Sequence, residues 1–248
     1  MNKLNLILLL LILFVCCKPK DKVTLHLIGD STCAPKEENR RPETGWGEKF
    51  EQFFDSTIEV CNYARNGRST RTFIEEGRWD SVTTTMKTGD YVFIQFAHND
   101  EVPTKKSYTT PENFKANLKR FIIETRVKEA TPILLTPVCR RRFDEEDNFF
   151  DTHGKYSALV RQAAEETSAS FIDMHTISMS ILVQYGKEES TKLFLHCAEG
   201  ECPNYPKGII DDTHFSDLGA TVMAESLAKA IAGSELPLGG RVIRTYNN

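Results

Sequence analysis

The sequence predicts an α/β fold in which a parallel β-sheet is covered by helices on both faces. Two observations carry this. From Lys22 onward, short apolar runs alternate with stretches of helical periodicity, the signature of strand–helix–strand units. The apolar runs are continuous, not alternating, which is the pattern of strands buried on both sides. The chain has 248 residues, enough for one sizeable core without a second domain.

Taken in order, Val23–Ile28 is rich in β-formers and stops at Gly29-Asp30. Gly45–Phe54 places Trp46, Phe50, Phe53 and Phe54 at helical spacing. Ile58–Tyr63 reads as a second strand and Thr70–Met86 as mostly helix. After the turn Gly89-Asp90, Tyr91–Phe96 is a strongly apolar third strand. Pro111 opens a helix to about Lys128, at the first-turn position that tolerates proline. Pro132–Thr136 is the fourth strand, His153–Thr167 a helix, Ser170–Asp173 the fifth strand and His175–Tyr185 a further helix. Ser216 is suited to cap a last helix running to about Ala232. The segment from Gly233 is poorly patterned and is expected at the periphery.

Residues 1–21 read as a signal peptide, ahead of one domain over 22–248. A positive charge at Lys3 precedes the apolar run Leu6–Cys17, too short for a bilayer span of roughly 20 residues. The run ends in Cys16-Cys17, followed by polar residues. This resembles a bacterial lipoprotein signal, with Cys16 or Cys17 as the lipidated residue. Leu13-Phe14-Val15 is bulkier than the residues usual before such a cysteine, so a signal peptide cut nearby, or an uncut anchor, is the alternative. The expected location is outside the cytoplasm: periplasmic, or a lipoprotein of the outer membrane or cell surface.

Net charge is −4, with 40% hydrophobic and 27% charged residues. Nothing in this balance points to nucleic acid or to general adhesion to an anionic membrane. Of seven cysteines, Cys197 and Cys202 flank a loop-like stretch and are the best disulfide candidates in an exported protein. Cys33, Cys61 and Cys139 sit among apolar neighbours and read as buried thiols. Neither C-x-x-C nor H-E-x-x-H occurs, so no metal site is expected.

In open parallel sheets, sites gather beyond the carboxyl ends of the strands. Ser31 follows the first strand, Gly67 the second and Asn99 the third, and Asp211 and His214 lie in what reads as a loop before the last helix. An Asp three residues before a His can accept from Nδ1–H, which leaves Nε2 free to take a proton from Ser31. Gly67, through its main-chain N–H, and Asn99, through its amide, are suited to hold an oxyanion. Each residue also has a plain structural reading: a capping serine, a glycine turn, an Asx turn, a packed histidine. The α/β-hydrolase elbow G-x-S-x-G is absent, with Cys33 in place of its last glycine.

Together, Gly29-Asp30-Ser31, Asn62 to Ser69 around Gly67, His98-Asn99-Asp100 and Asp211-x-x-His214 resemble the four blocks of the SGNH (GDSL-type) hydrolases. Gly45-Trp46-Gly47, Gly67-Arg68-Ser69 with Arg71-Thr72-Phe73, Glu76-Gly77-Arg78, Gly89-Asp90-Tyr91 and Gln95 to Asp100 are similar to the rhamnogalacturonan acetylesterase branch. The similarity runs from about Val23 to Ala232. Two positions depart from that branch: Ala97 stands where Gly usually precedes His-Asn-Asp, and Asn66 where Gly or Ala usually precedes the oxyanion Gly.

The resemblance implies a three-layer α/β/α sandwich with a five-stranded parallel, flavodoxin-like sheet. It implies deacetylation of a pectic polysaccharide without a metal or organic cofactor. Ser31 would be the nucleophile, His214 the base and Asp211 its orienter, with Ser31 N–H, Gly67 N–H and Asn99 as the oxyanion hole. For substrate contacts the candidates are Arg68, Arg71, His98, Arg140 and Trp46. The arginines, with the rest of the Arg140–Arg142 triplet, would meet uronate carboxylates, or else pair internally with Glu75, Glu76, Asp144 or Glu145. Trp46 would be a sugar platform, or else part of the core. Two other functions stay open: a lipase, thioesterase or arylesterase of the same fold, and a glycan-binding surface lipoprotein without chemistry.

Overall fold

The computed structural model describes residues 22–243; the expected signal peptide and its cysteines lie outside them. Five strands form one parallel sheet: β1 (Val23–Gly29), β2 (Ile58–Asn62), β3 (Tyr91–Gln95), β4 (Thr131–Leu135) and β5 (Ser170–Ile172). Their order is β2-β1-β3-β4-β5, with every neighbour parallel. The chain direction therefore switches between β1 and β3, where such sheets open a crevice at their carboxyl edge.

The helices are α1 (Thr70–Glu75), α2 (Arg78–Thr85), α3 (Pro111–Val127), α4 (Gly154–Thr167), α5 (Met174–Glu189) and α6 (Asp217–Ala232). Side chains alternate across each strand, and both faces are buried. Leu25, Leu27, Phe93, Ile133 and Leu135 pack on one side with Trp46, Phe50 and the apolar stripe of α6. Ile28, Val92, Ile94 and Leu134 pack on the other with Phe73, Trp79, Phe121 and Val160. This is why the strands read as unbroken apolar runs.

Three expectations are corrected first. Gly45–Phe54 is not an α-helix but two 3₁₀ turns, Trp46–Glu48 and Glu51–Phe53. The segment is pressed too closely on the loop after β1 for regular helix: a Cβ at Gly47 would come within 2.5 Å of the Cys33 carbonyl oxygen. Thr70–Met86 is mostly helical as expected, divided into α1 and α2 at Gly77, whose φ of 68° lies outside the right-handed helical region. Cys61 is only half-buried, while Cys33 and Cys139 are buried as expected. The segment after Gly233 is docked, not peripheral: Leu238 is buried in the core, and Val242 pairs with Phe54.

The last structural feature was not foreseen. Asp211 and His214 lie in a strand, not a loop. β6 (Phe194–Cys197) and β7 (Ile209–Phe215) form an antiparallel hairpin outside the main sheet. Cys197 and Cys202 are joined by a disulfide within it.

Candidate active site

Ser31 stands two residues past β1 in a turn that only glycine permits at its start. A Cβ on Gly29 would sit 2.5 Å from both the Cys33 sulfur and the Gln95 carbonyl oxygen, so the turn folds directly against β3. Asp30 stiffens the turn: its Oδ1 accepts from Thr32 N at 3.0 Å and Thr32 Oγ1 at 2.8 Å, and its Oδ2 lies 3.3 Å from His98 Nδ1.

The histidine arrives on a bulge. Phe194 pairs with Phe215, while the next residue, Leu195, pairs with Asp211. Residues 212–214 are therefore unopposed, and the strand is free to re-aim their side chains. Their N–H groups turn inward: Asp211 Oδ1 accepts from Thr213 N at 2.8 Å and from His214 N at 3.0 Å. The other oxygen, Oδ2, is 2.7 Å from His214 Nδ1, and His214 Nε2 is 2.9 Å from Ser31 Oγ. Burial alone would raise the Asp211 carboxyl, but the His214 imidazole and these N–H groups outweigh it and hold the group at about 2. Asp211 is thus a carboxylate at neutral pH, and an Nδ1–H donated to it leaves Nε2 as acceptor for the Ser31 hydroxyl.

Gly67 and Asn99 line the same cleft of about 300 Å³, together with Ser31, Asp211 and His214. Gly67 has φ of +77°, a backbone that turns its N–H without steric cost. Asn99 Nδ2 donates to the Arg68 carbonyl at 3.1 Å, which ties the third strand's loop to the Gly67 loop and leaves a second N–H on the amide. A Ser–His–Asp relay next to such donors is equipped for nucleophilic acyl transfer.

The candidate substrate contacts separate. Arg140 lines the cleft, with Nη2 donating to Glu101 Oε1 at 3.0 Å and to the His98 carbonyl at 3.1 Å. Arg68 lies in the adjoining hollow, paired with Glu76. His98 reaches the cleft floor but is 2% exposed, packed edge-on against His153. Burial pushes its imidazole down to about 4, against the pull of Asp30. Arg71 is absent from the cleft lining; it pairs with Glu75 and donates to the Lys106 and Tyr108 carbonyls, which gives it a scaffolding role. Trp46 is no sugar platform: it is 1% exposed, and its Nε1 donates to Gln95 Oε1 at 2.8 Å. Arg141 and Arg142 both pair with Asp212, not with Asp144 or Glu145. Two cleft residues escaped sequence reasoning. Arg40 and Lys105 line the wall from loops whose charges resemble ordinary solvated ones.

An α/β/α sandwich with this relay at the carboxyl edge of its sheet defines a hydrolase of the serine type. The chain belongs to the GDSL-like lipase/acylhydrolase family, which it matches over residues 27–222. It is 39% identical to the rhamnogalacturonan acetylesterase RhgT of Bacillus subtilis, over 88% of this chain and 94% of that one. It is 24% identical to a rhamnogalacturonan acetylesterase of Emericella nidulans, over 90% of each. Among solved structures, YxiM of Bacillus subtilis superposes with a TM-score of 0.73 at 26% identity, covering 86% of this chain and 57% of that one. The acetylxylan esterase Axe2 of Geobacillus stearothermophilus shares the fold, with a TM-score of 0.60 at 20% identity, over 87% of this chain and 96% of that one.

Proposed function

We propose that this chain removes O-acetyl groups from an acidic pectic polysaccharide of the rhamnogalacturonan type, through an acyl-enzyme on Ser31. The observation that carries the proposal is the unbroken relay Ser31 Oγ–His214–Asp211, at 2.9 and 2.7 Å. Ser31 attacks the ester carbonyl while His214 Nε2 takes its proton. The Ser31 N–H, the Gly67 N–H and the Asn99 amide hold the oxyanion. His214 returns the proton to the departing sugar hydroxyl, then activates water, and acetate leaves.

The cleft supports a short acyl group on a polar carrier. Its lining is Ser31, Arg40, Asn66, Gly67, His98, Asn99, Lys105, Arg140, Asp211, Thr213 and His214; none has a hydrocarbon side chain of the kind a long acyl chain needs. Arg40, Lys105 and Arg140 make the wall cationic although the chain is net acidic, which suits uronate carboxylates. The identity to RhgT supports the same substrate. We also propose export with a lipid anchor at Cys16 or Cys17; the disulfide of the hairpin fits an oxidising compartment.

Acetate release from acetylated pectin, xylan and chitin fragments tests the reading. Pectin fragments are expected to be the best substrate, and Ser31→Ala to lower turnover by about 10⁶. Full activity in purified Ser31→Ala protein would overturn it. Binding of pectin with no labelling of Ser31 by a fluorophosphonate would favour a glycan-binding protein instead.

A further inference from the structure

Beside the cleft lies an ion pair that the relay does not use. Lys36 Nζ and Glu43 Oε1 are 2.8 Å apart, and the two side chains are 0% and 1% exposed. A buried ammonium has three N–H donors and no bulk water to receive them, so it needs fixed acceptors. Lys36 has two hydrogen-bond acceptors and the Glu43 carboxylate as its ion-pair partner. Besides Glu43, its Nζ donates to the main-chain oxygen of Ser31 at 2.5 Å and to Asn66 Oδ1 at 2.8 Å. Ser31 is the proposed nucleophile, and Asn66 directly precedes the oxyanion residue Gly67. Glu43 adds a third connection. The residue after it, Thr44, donates its N–H to the Phe215 carbonyl at 3.0 Å, one residue beyond His214. The pair therefore joins the loops that carry nucleophile and oxyanion donor to the strand that carries the base.

We propose that Lys36 is a positioning residue for the esterase reaction, holding the Ser31 and Gly67 loops in register through Asn66. The inference rests on the proposed role of Ser31. Buried ion pairs add little net stability, because desolvation offsets their attraction; what Lys36 supplies is direction, two hydrogen bonds to groups on separate loops. Such precision matters, since a misplacement of about 1 Å can cost roughly 10²-fold in rate.

The test measures kcat and KM on p-nitrophenyl acetate, together with Tm, for three variants and Ser31→Ala. Asn66→Ala removes one acceptor from a half-buried loop residue. Lys36→Met/Glu43→Met removes both buried charges at once and releases Arg40 from Glu43, so its effect is read beside that of Asn66→Ala. The third variant combines all these changes. Asn66→Ala is expected to lower kcat about tenfold with KM unchanged, and Tm should fall by no more than about 2 °C. The Lys36/Glu43 variant is expected to lower kcat by about 10–100-fold. The combined variant should lose less than the product of the two effects, because a tie cut at one end has nothing left to lose at the other. Should the Lys36/Glu43 variant fail to fold, the kcat of Asn66→Ala decides alone. A kcat for Asn66→Ala within twofold of wild type overturns the proposal, as do fully multiplicative losses. If Ser31→Ala retains activity, the nucleophile assignment fails instead.

Discussion

The ammonium of Lys105 donates to Asn99 Oδ1 across 3.3 Å, while Nδ2 of the same amide donates to the Arg68 carbonyl at 3.1 Å. These contacts agree with each other and orient the amide: oxygen toward the cation, nitrogen toward the Gly67 loop. An amide held in this way is a ready donor to charge that develops in the cleft. Asn99→Ala is therefore expected to lower kcat on p-nitrophenyl acetate by about 10²–10³, with little change in KM. Asn99→Asp should be at least as damaging, since a carboxylate there repels the oxyanion. A kcat within threefold of wild type in Asn99→Ala would remove Asn99 from the oxyanion hole.

Lys105 also stands apart from the other cations of the wall. Arg40 is paired with Glu43 and Arg140 with Glu101, whereas Lys105 has no ion pair among the described residues. Its charge is thus available to a carboxylate on the substrate. Lys105→Met is expected to lose about tenfold in kcat/KM on acetylated pectin fragments, in line with the worth of one partly solvated charge pair. On acetylated xylan fragments, which present fewer carboxylates, the loss should be under about threefold. Raising salt to about 0.5 M should narrow the gap between wild type and Lys105→Met on pectin by screening. Equal losses on both polymers would assign Lys105 to Asn99 alone.

Legibility in the sequence followed burial. The five sheet strands could be placed to within a residue or two; in the central ones both faces are covered, so Tyr91–Gln95 and Thr131–Leu135 read as plain apolar runs. Ser216 was legible as a cap because its side chain does accept from Gly219 N, at 3.1 Å. The hairpin was hidden for the opposite reason. β7 reads Ile-Ile-Asp-Asp-Thr-His-Phe, and its bulge breaks the alternation that marks a two-faced strand. Trp46 lay at helical spacing without a helix, since close packing on the Cys33–Ala34 loop shapes that segment more than periodicity does. Lys36 and Glu43 could not be told from a solvated loop, because only the tertiary fold seals them in.

On either side of Asn99 in the chain stand two buried groups with opposed pH behaviour, His98 and Asp100. Folded His98 stays neutral down to about 4, while the unfolded imidazole takes a proton below its ordinary 6.5; stability is therefore lost as pH falls from 6.5 toward 4. Burial pushes the Asp100 carboxyl up to about 7, against the donors of Thr70. The unfolded carboxyl loses its proton above the ordinary 3.8, so this contribution is lost as pH rises from there toward 7. Between pH 4 and 6.5 the two slopes oppose each other, each at most about 1.4 kcal/mol per pH unit. Asp100→Asn removes the second slope. Its Tm, measured by calorimetry at intervals from pH 4 to 8, should climb more steeply than wild type up to pH 6.5. A packing change would move the whole curve without altering its slope. Parallel curves would show that Asp100 titrates normally in the folded protein.

Ala97 occupies a backbone conformation that favours glycine. Its φ is +147°, and the residue is fully buried beneath the third strand's end. A non-glycine residue in this region is strained by about 1–3 kcal/mol. At an unstrained buried site, Ala→Gly would cost about 0.5–1 kcal/mol in backbone entropy and about 0.8 for the lost methyl. Relief of strain should offset both, so Ala97→Gly is expected to leave stability within about 0.5 kcal/mol of wild type or to raise it. Ala97→Val should instead cost several kcal/mol, because a β-branched side chain in a sealed core meets the same φ with more bulk. Urea titrations with a common m-value would compare the three proteins. A loss of about 1.5 kcal/mol or more in Ala97→Gly would mean that the turn carries no strain and that alanine is held there for its methyl contacts with the surrounding core.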